Sequence, residues 1–278
     1  MSIQRIALGP GADLPGFRQA VRRVAAAAIP PDTVVWTTDA PDLFGETEAG
    51  HAPPIALPRG LADLIDTVVC HQDPQRYAFL YQAVWRVLHG EPKLLEVASD
   101  PLVHRLERMR KSVNRDIHKM HAFLRFRLIG TVDDTERYVA WFEPEHFILH
   151  ATSDFFVTRF RSLVWSILTP IGSLHWDRES LTHGPPATRA DSPDRDPFEQ
   201  GWTDYYTSTF NPARVNPKLM RSEMPLKYWR NMPETQSIRN LVQEADVRAR
   251  EMITRDAIKP RKRDPRKAVA AMLRRSPT

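Results

Sequence analysis

Between Asp100 and Met120 the chain sorts its apolar and cationic residues onto opposite sides of a helix, and this segment constrains the fold more than any other. At about 100° per residue, Leu102, Leu106, Met109, Val113, Ile117 and Met120 fall on one stripe. Arg105, Arg108, Lys111, Arg115 and Lys119 fall nearly opposite, with His104 and His118 at the margin. Asp100-Pro101 supplies a start signal, so one face belongs to a core and the other is a basic ridge. Directly afterwards the period changes to two. HAFLRFRLI and RYVAWFEP alternate like a hairpin around the polar turn 131–136, and HFILH extends the pairing. TSDFFVTRFRS reads as a helix capped near Ser153, and LVWSILTP with SLHWD, broken at Ile171-Gly172, reads as a second hairpin. The order strand-strand-helix-strand-strand predicts an antiparallel sheet with helices on one face, hence an α+β fold.

The flanks are simpler. An apolar strand from Ile3 to Leu8, a helix over about 15–28 and a strand at 33–36 make a small N-terminal strand-helix-strand unit. Its turn, Gly9-Pro10-Gly11-Ala12-Asp13, lacks the Lys-Ser/Thr of a P-loop and the glycine set of a dinucleotide fingerprint. Residues 39–58 are rich in Pro, Gly and acid and mark a linker. Asp73-Pro74 opens a helix whose stripe, Ala78, Tyr81, Val84, Trp85 and Leu88, stops at Gly90. A polar loop over 178–198 and a helix over 235–254 complete the body. The expected division is 1–58, 59–254 and a basic mobile tail, 255–278.

Composition removes several function classes. The single cysteine, Cys70, excludes an internal disulfide, a four-thiolate zinc site and a cysteine-ligated iron–sulfur cluster. No apolar run approaches membrane-spanning length, and the first residues lack a secretory pattern, so a cytosolic protein without membrane contact is expected. The net charge of +5 is misleading until it is located. Nine Lys/Arg and two Asp in 255–278 give that segment a surplus of seven, which leaves residues 1–254 at −2. Any contact between the body and nucleic acid must rest on arrangement, and the ridge is such an arrangement.

A second basic segment, YYTSTFNPARVNPKLMRSEMPLKYWRNMPE at 205–234, interleaves aromatics with Arg214, Lys218, Arg221, Lys227 and Arg230 and shows no clean periodicity. Rings stack on bases or on the protein's own core, and cations neutralise phosphates. Asn211-Pro212-Ala213-Arg214 has the composition of a tight turn that offers N–H groups and a guanidinium to a phosphate, or of a purely structural turn. Met220, Met224, Tyr228 and Trp229 suit a core or partner contact better than a cofactor box.

RDIHKMHAFLRFR at 115–127, VAWFEPEHFI at 139–148, WSILTPIGSLHWD at 165–177 and the block 205–234 together resemble a bacterial family assigned to DNA metabolism or DNA repair, built around a domain of unknown function. The resemblance spans residues 3 to about 254. Its members stand beside a radical-SAM DNA-repair protein or are fused ahead of a uracil-DNA-glycosylase-like domain, which implies DNA and a radical-SAM protein as partners. No segment here carries the water-activating and uracil-reading motifs of that fused domain, so glycosylase activity is not implied.

The residues leave three functions open. As a DNA-binding component that presents DNA to a partner enzyme, the chain would use Arg105, Arg108, Lys111, Arg115, Lys119, Asn211, Arg214, Lys218, Arg221 and Trp229. As a nuclease or base-processing enzyme it would draw on His118, Glu143, His146 or His175. As a protein–protein adaptor it would grip a partner through the aromatic block. Ser173, His175 and Asp177 alternate along a strand, but neighbours at that spacing lie about 7 Å apart, which is poor geometry for a hydrolytic triad. His118, His121, Glu143, His146 and His150 lack diagnostic metal spacing, and neither a metal nor another cofactor is expected.

Overall fold

The computed structural model describes residues 3–38, 53–191, 216–232, 235–245 and 247. The chain divides into two compact units, one of Met1–Gln200 with Leu226–Pro233 and the other of Gly201–Pro225 with Glu234–Thr278.

In the first unit, β1 (Gln4–Ala7) and β2 (Val34–Thr37) pair in parallel around α1 (Leu14–Ala26). Asp13 caps α1 through Gly16 N–H at 2.9 Å and also accepts Gly9 N–H at 2.8 Å. A carboxylate of the chain itself thus occupies the N–H cradle where a phosphate would sit, so this loop offers no empty anion seat. Helices α2 (Arg59–Val68), α3 (Arg76–Leu88) and α4 (Pro101–Phe123) follow. Phe17 and Val24 of α1, Leu61 and Val68 of α2, Tyr77 and Leu80 of α3, and Leu106 and Met109 of α4 share one core with Ile6 and Val34. Helix α2 lies beyond the predicted linker, in a stretch whose stripe, Leu61, Leu64, Ile65 and Val68, sequence reading passed over.

Five strands form the second layer in the order β3 (Arg127–Val132), β4 (Thr135–Trp141), β5 (Val164–Thr169), β6 (Gly172–Trp176), β7 (Leu181–Gly184). The β3–β4, β5–β6 and β6–β7 pairs are antiparallel. The β4–β5 pair is parallel, because α5 (Leu149–Arg159) carries the chain across the sheet between them, and a fully antiparallel sheet is thereby corrected. Ala140, Trp165, Ile167, Leu174 and Trp176 point from one sheet face into a second core with Val113 and Met120 of α4 and Phe156 of α5.

Helix α4 therefore spans both cores. At 1.5 Å per residue its 23 residues extend about 34 Å, with its first half in one core and its second half in the other. Asp100 caps it by accepting Leu102 and Val103 N–H at 2.9 and 3.1 Å.

Several local expectations change. α4 continues to Phe123, so His121–Phe123 are helical and β3 starts only at Arg127. HFILH does not extend the hairpin: α5 begins at Leu149, and Ser153 lies inside it with its hydroxyl on His150 O at 2.7 Å. The polar loop contains β7, which Ser173↔Gly184 pairing recruits to the sheet edge. The 205–234 block includes α6 (Pro217–Glu223), capped by Asn216, and the single turn α7 (Leu226–Trp229). α8 (Thr235–Gln243) occupies the start of the helix expected over 235–254. Tyr205, Tyr206, Asn211, Arg214 and the tail 255–278 lie outside the described residues. Among the described residues no helix is long and apolar enough to cross a membrane.

Candidate nucleic-acid interface

The cationic side of α4 is a surface. Leu102, Leu106, Met109, Val113 and Met120 are buried, Arg105, Arg108, Lys111, Arg115 and His118 are exposed, and Lys119 is half-buried. Arg105 lies over the Phe79 ring at 4.3 Å, which steadies its guanidinium without neutralising it. Arg110, off the ridge, pairs with Glu107 at 2.7 Å. Among the described residues no carboxylate forms an ion pair with Arg108, Lys111, Arg115 or Lys119. Like charges one turn apart repel, and Glu145, whose carboxyl Lys119 helps to hold low, relieves part of that repulsion at the Lys119 end of the row. From Arg105 to Lys119 the ridge runs about 21 Å, or about six base-pair steps of duplex.

Behind the ridge lies a buried polar cluster that sequence reading missed apart from His146. Asp116, 3% exposed, sits where the apolar stripe meets the ridge, about 20° in helical angle from Met109. At that border its helical angle gave no signal of burial. Its Oδ2 accepts the N–H groups of Glu145 and His146 at 2.8 and 2.9 Å, and its Oδ1 has no hydrogen-bond partner among the described residues. Burial raises its pKa, and the two N–H donors oppose that only in part.

The segment Asp116 holds carries Glu143 and Glu145. Glu143 accepts Trp141 Nε1–H at 2.9 Å and forms an ion pair with Arg230 at 2.8 Å. Glu145 pairs with Lys227 at 2.6 Å, which holds its carboxyl below the usual range. These two cations of the aromatic-basic block are thus engaged within the fold. Tyr228 between them is buried and stacks on Phe142 at 5.1 Å, and Trp229 is half-buried, so the block's described rings pack more than they display. Lys218 and Arg221 on α6 are exposed and belong to the second unit.

The histidines are placed for structure. His146 Nδ1 accepts Gln72 N–H at 3.2 Å, and His71 Nδ1 accepts Asp73 N–H at 3.0 Å, with the two rings 4.4 Å apart. A neutral imidazole has one lone pair, so in each ring it is already taken and Nε2 carries the proton. Burial lowers both pKa values, that of His71 to about 4, and the rings stay neutral at pH 7. In this geometry neither is a free base or a free metal ligand. His121 stacks on Phe155 at 3.8 Å rather than converging with the exposed His118. His175 lies between Ser166 Oγ at 2.8 Å and Ser173 Oγ at 3.0 Å. Asp177 instead closes the next turn, accepting Glu179 and Ser180 N–H at 2.9 and 2.7 Å, so Ser173, His175 and Asp177 do not form a triad. His118, Glu143, His146 and His175 share no hydrogen-bond partner, and among the described residues no three His, Cys, Asp or Glu side chains are grouped to hold a metal ion. Burial also pushes the Cys70 thiol up to about 11, far from a reactive thiolate.

The Ser166–His175–Ser173 contact depends on Gly184 across the β6–β7 pair. A Cβ there would meet Ser173 Oγ at 2.4 Å and His175 Nε2 at 2.9 Å. Gly184→Ala is expected to destabilise the chain by about 1–3 kcal/mol while leaving nucleic-acid affinity of the folded fraction unchanged, which thermal melts and a binding titration check together.

No curated protein and no solved structure matches the chain. A family described as a domain of unknown function, DUF4130, matches residues 74–234, a span that contains the ridge, the buried Asp116–His146 cluster and the whole five-stranded sheet. That match covers more than half of the sequence, and the chain belongs to the DUF4130 family.

Proposed function

We propose that this chain is a DNA-binding component of a bacterial DNA repair or modification pathway, which holds DNA by its phosphates along α4 and presents it to a separate enzyme. The resemblance in its sequence blocks points to a radical-SAM protein as that enzyme. The carrying observation is that Arg108, Lys111, Arg115 and Lys119 lie along one face of a long, well-anchored helix and form no ion pair with a carboxylate among the described residues. A row of cations without ion pairs on a rigid helix favours an anionic polymer with regular charge spacing. The catalytic alternative is less well supported. His146 has its lone pair committed, Glu143 is engaged by Arg230, and among the described residues His175 is hydrogen-bonded to hydroxyls and to no carboxylate.

The test is a salt series. Five ridge cations without an ion pair among the described residues predict that log affinity for duplex DNA falls against log salt with a slope of about −4.5, at about 0.9 per phosphate contact. Measurement on single-stranded and duplex DNA, with and without the radical-SAM protein, decides the matter. A slope near zero in every arm would remove the DNA reading and favour an adaptor.

A further inference from the structure

Ser112 lies within the basic ridge, four residues after Arg108 and three before Arg115, on the side that borders Asp116. His146 stands behind it, 2% exposed, with Nε2 2.8 Å from Ser112 Oγ. The direction of that bond is set from the far side of the ring. Gln72 N–H can only donate, so Nδ1 must accept, Nε2 must carry the proton, and Ser112 Oγ must be the acceptor. The serine's own proton therefore remains to be placed.

Helical hydroxyls usually turn back onto the carbonyl of the preceding turn. Thr67 does so onto Asp63 O at 3.1 Å, Thr152 onto Leu149 O at 3.0 Å and Ser153 onto His150 O at 2.7 Å. Ser112 makes no such bond, and His146 is its sole hydrogen-bond partner among the described residues. An O–H donor without an acceptor thus stands at a half-buried position in a row of cations.

We infer that Ser112 is a phosphate-binding residue: a relay of donors running from Gln72 N–H through His146 to Ser112 ends in a hydroxyl that donates to a phosphate oxygen of nucleic acid lying along α4, between the guanidinium groups of Arg108 and Arg115. This rests on the DNA-binding reading and deepens it by naming one phosphate subsite. His146 is a positioning residue in it, since its N–H takes one lone pair of Ser112 Oγ and fixes the hydroxyl so that its own proton is free to be donated to the ligand. A phosphate oxygen only accepts, which matches the hydroxyl proton that Ser112 has left to donate. The bond involves no charged side chain, so it adds affinity without releasing a counterion.

That property separates it from the cations in the experiment. Binding of the full chain to a fluorescein-labelled duplex longer than the ridge is titrated across a salt series. Ser112→Ala is expected to weaken binding about tenfold at every salt with an unchanged slope, the scale of one hydrogen bond to a charged acceptor, whereas Arg115→Ala lowers the slope by about one. Ser112→Thr, which keeps the hydroxyl, should restore affinity. Ser112→Cys keeps nearly the same shape with a weak donor and serves if the alanine variant folds poorly. His146→Gln, whose amide can still donate to Ser112, should bind better than His146→Leu, and His146→Leu combined with Ser112→Ala should lose no more than Ser112→Ala alone. Wild-type affinity in folded Ser112→Ala and Ser112→Cys, on a chain whose binding is salt-dependent, overturns the subsite and leaves the DNA reading standing. Absence of salt-dependent binding by the wild-type chain overturns both.

Discussion

Replacing Arg108, Lys111 and Arg115 together by Glu is expected to lower affinity for duplex DNA by about 10²–10³-fold at 0.1 M salt and to cut the salt slope by about 2.7, three contacts at about 0.9 each. The loss should be uniform across DNA sequences, since phosphate contacts fix position but read no bases. The fold should persist. All three side chains are exposed, none has a carboxylate partner to lose among the described residues, and the apolar stripe that anchors α4 lies on its far side. Circular dichroism and a thermal melt establish folding, and fluorescence anisotropy at several salt concentrations reads the affinity. A folded triple variant that binds like the wild type would take the ridge out of the binding surface.

Asp116 is expected to give the largest effect on stability, and its variants should separate shape from charge. One oxygen of its carboxylate satisfies two N–H groups, the buried one of His146 and the part-buried one of Glu145. Asp116→Leu leaves both without an acceptor, at about 1–3 kcal/mol each, so a loss of about 2–6 kcal/mol is expected. It also frees the segment carrying Glu143 and Glu145 and hence their pairs with Arg230 and Lys227. Asp116→Asn retains an oxygen for both N–H groups and carries no charge, so its cost should stay near or below about 1 kcal/mol.

The pH dependence has the opposite sign to that of a salt-bridged carboxylate. Because burial raises the folded-state pKa of Asp116, the native chain holds this proton more tightly than the unfolded chain does. Stability from this group is therefore greatest below the ordinary carboxylate value of about 3.9 and falls as pH rises through the raised value. Asp116→Asn should flatten that fall, gaining relative to the wild type toward neutral pH. Urea unfolding of both chains across the acid range measures it. A wild-type profile that rises through the window relative to Asp116→Asn would contradict a raised pKa.

Side-chain periodicity alone was enough to place α4, its ridge, the two hairpins and the strand-helix-strand unit, because those elements repeat a local rule over enough residues to be read. The ridge was legible for the same reason: exposure on one face follows from burial on the other. The direction of the β4–β5 pairing was not, since a strand's residues are the same whichever neighbour it joins, and only α5 crossing the sheet makes that pair parallel. β7 has just four residues and becomes a strand by pairing with β6. Nor could spacing show that Asp177 leaves His175 for a turn while Ser166, nine residues before it, meets the ring.

The cluster behind the ridge divides the same way. The sequence by itself determined that α4 has a core face and a cationic face, since helical angle follows from residue number alone, but it left Asp116 on the border between them. Only the tertiary structure decided what meets that carboxylate and what meets Ser112. Gln72, Ser112, Asp116 and His146 are brought together by the packing of three separate chain segments, and the state of each proton among them is set by donors and acceptors distant in sequence.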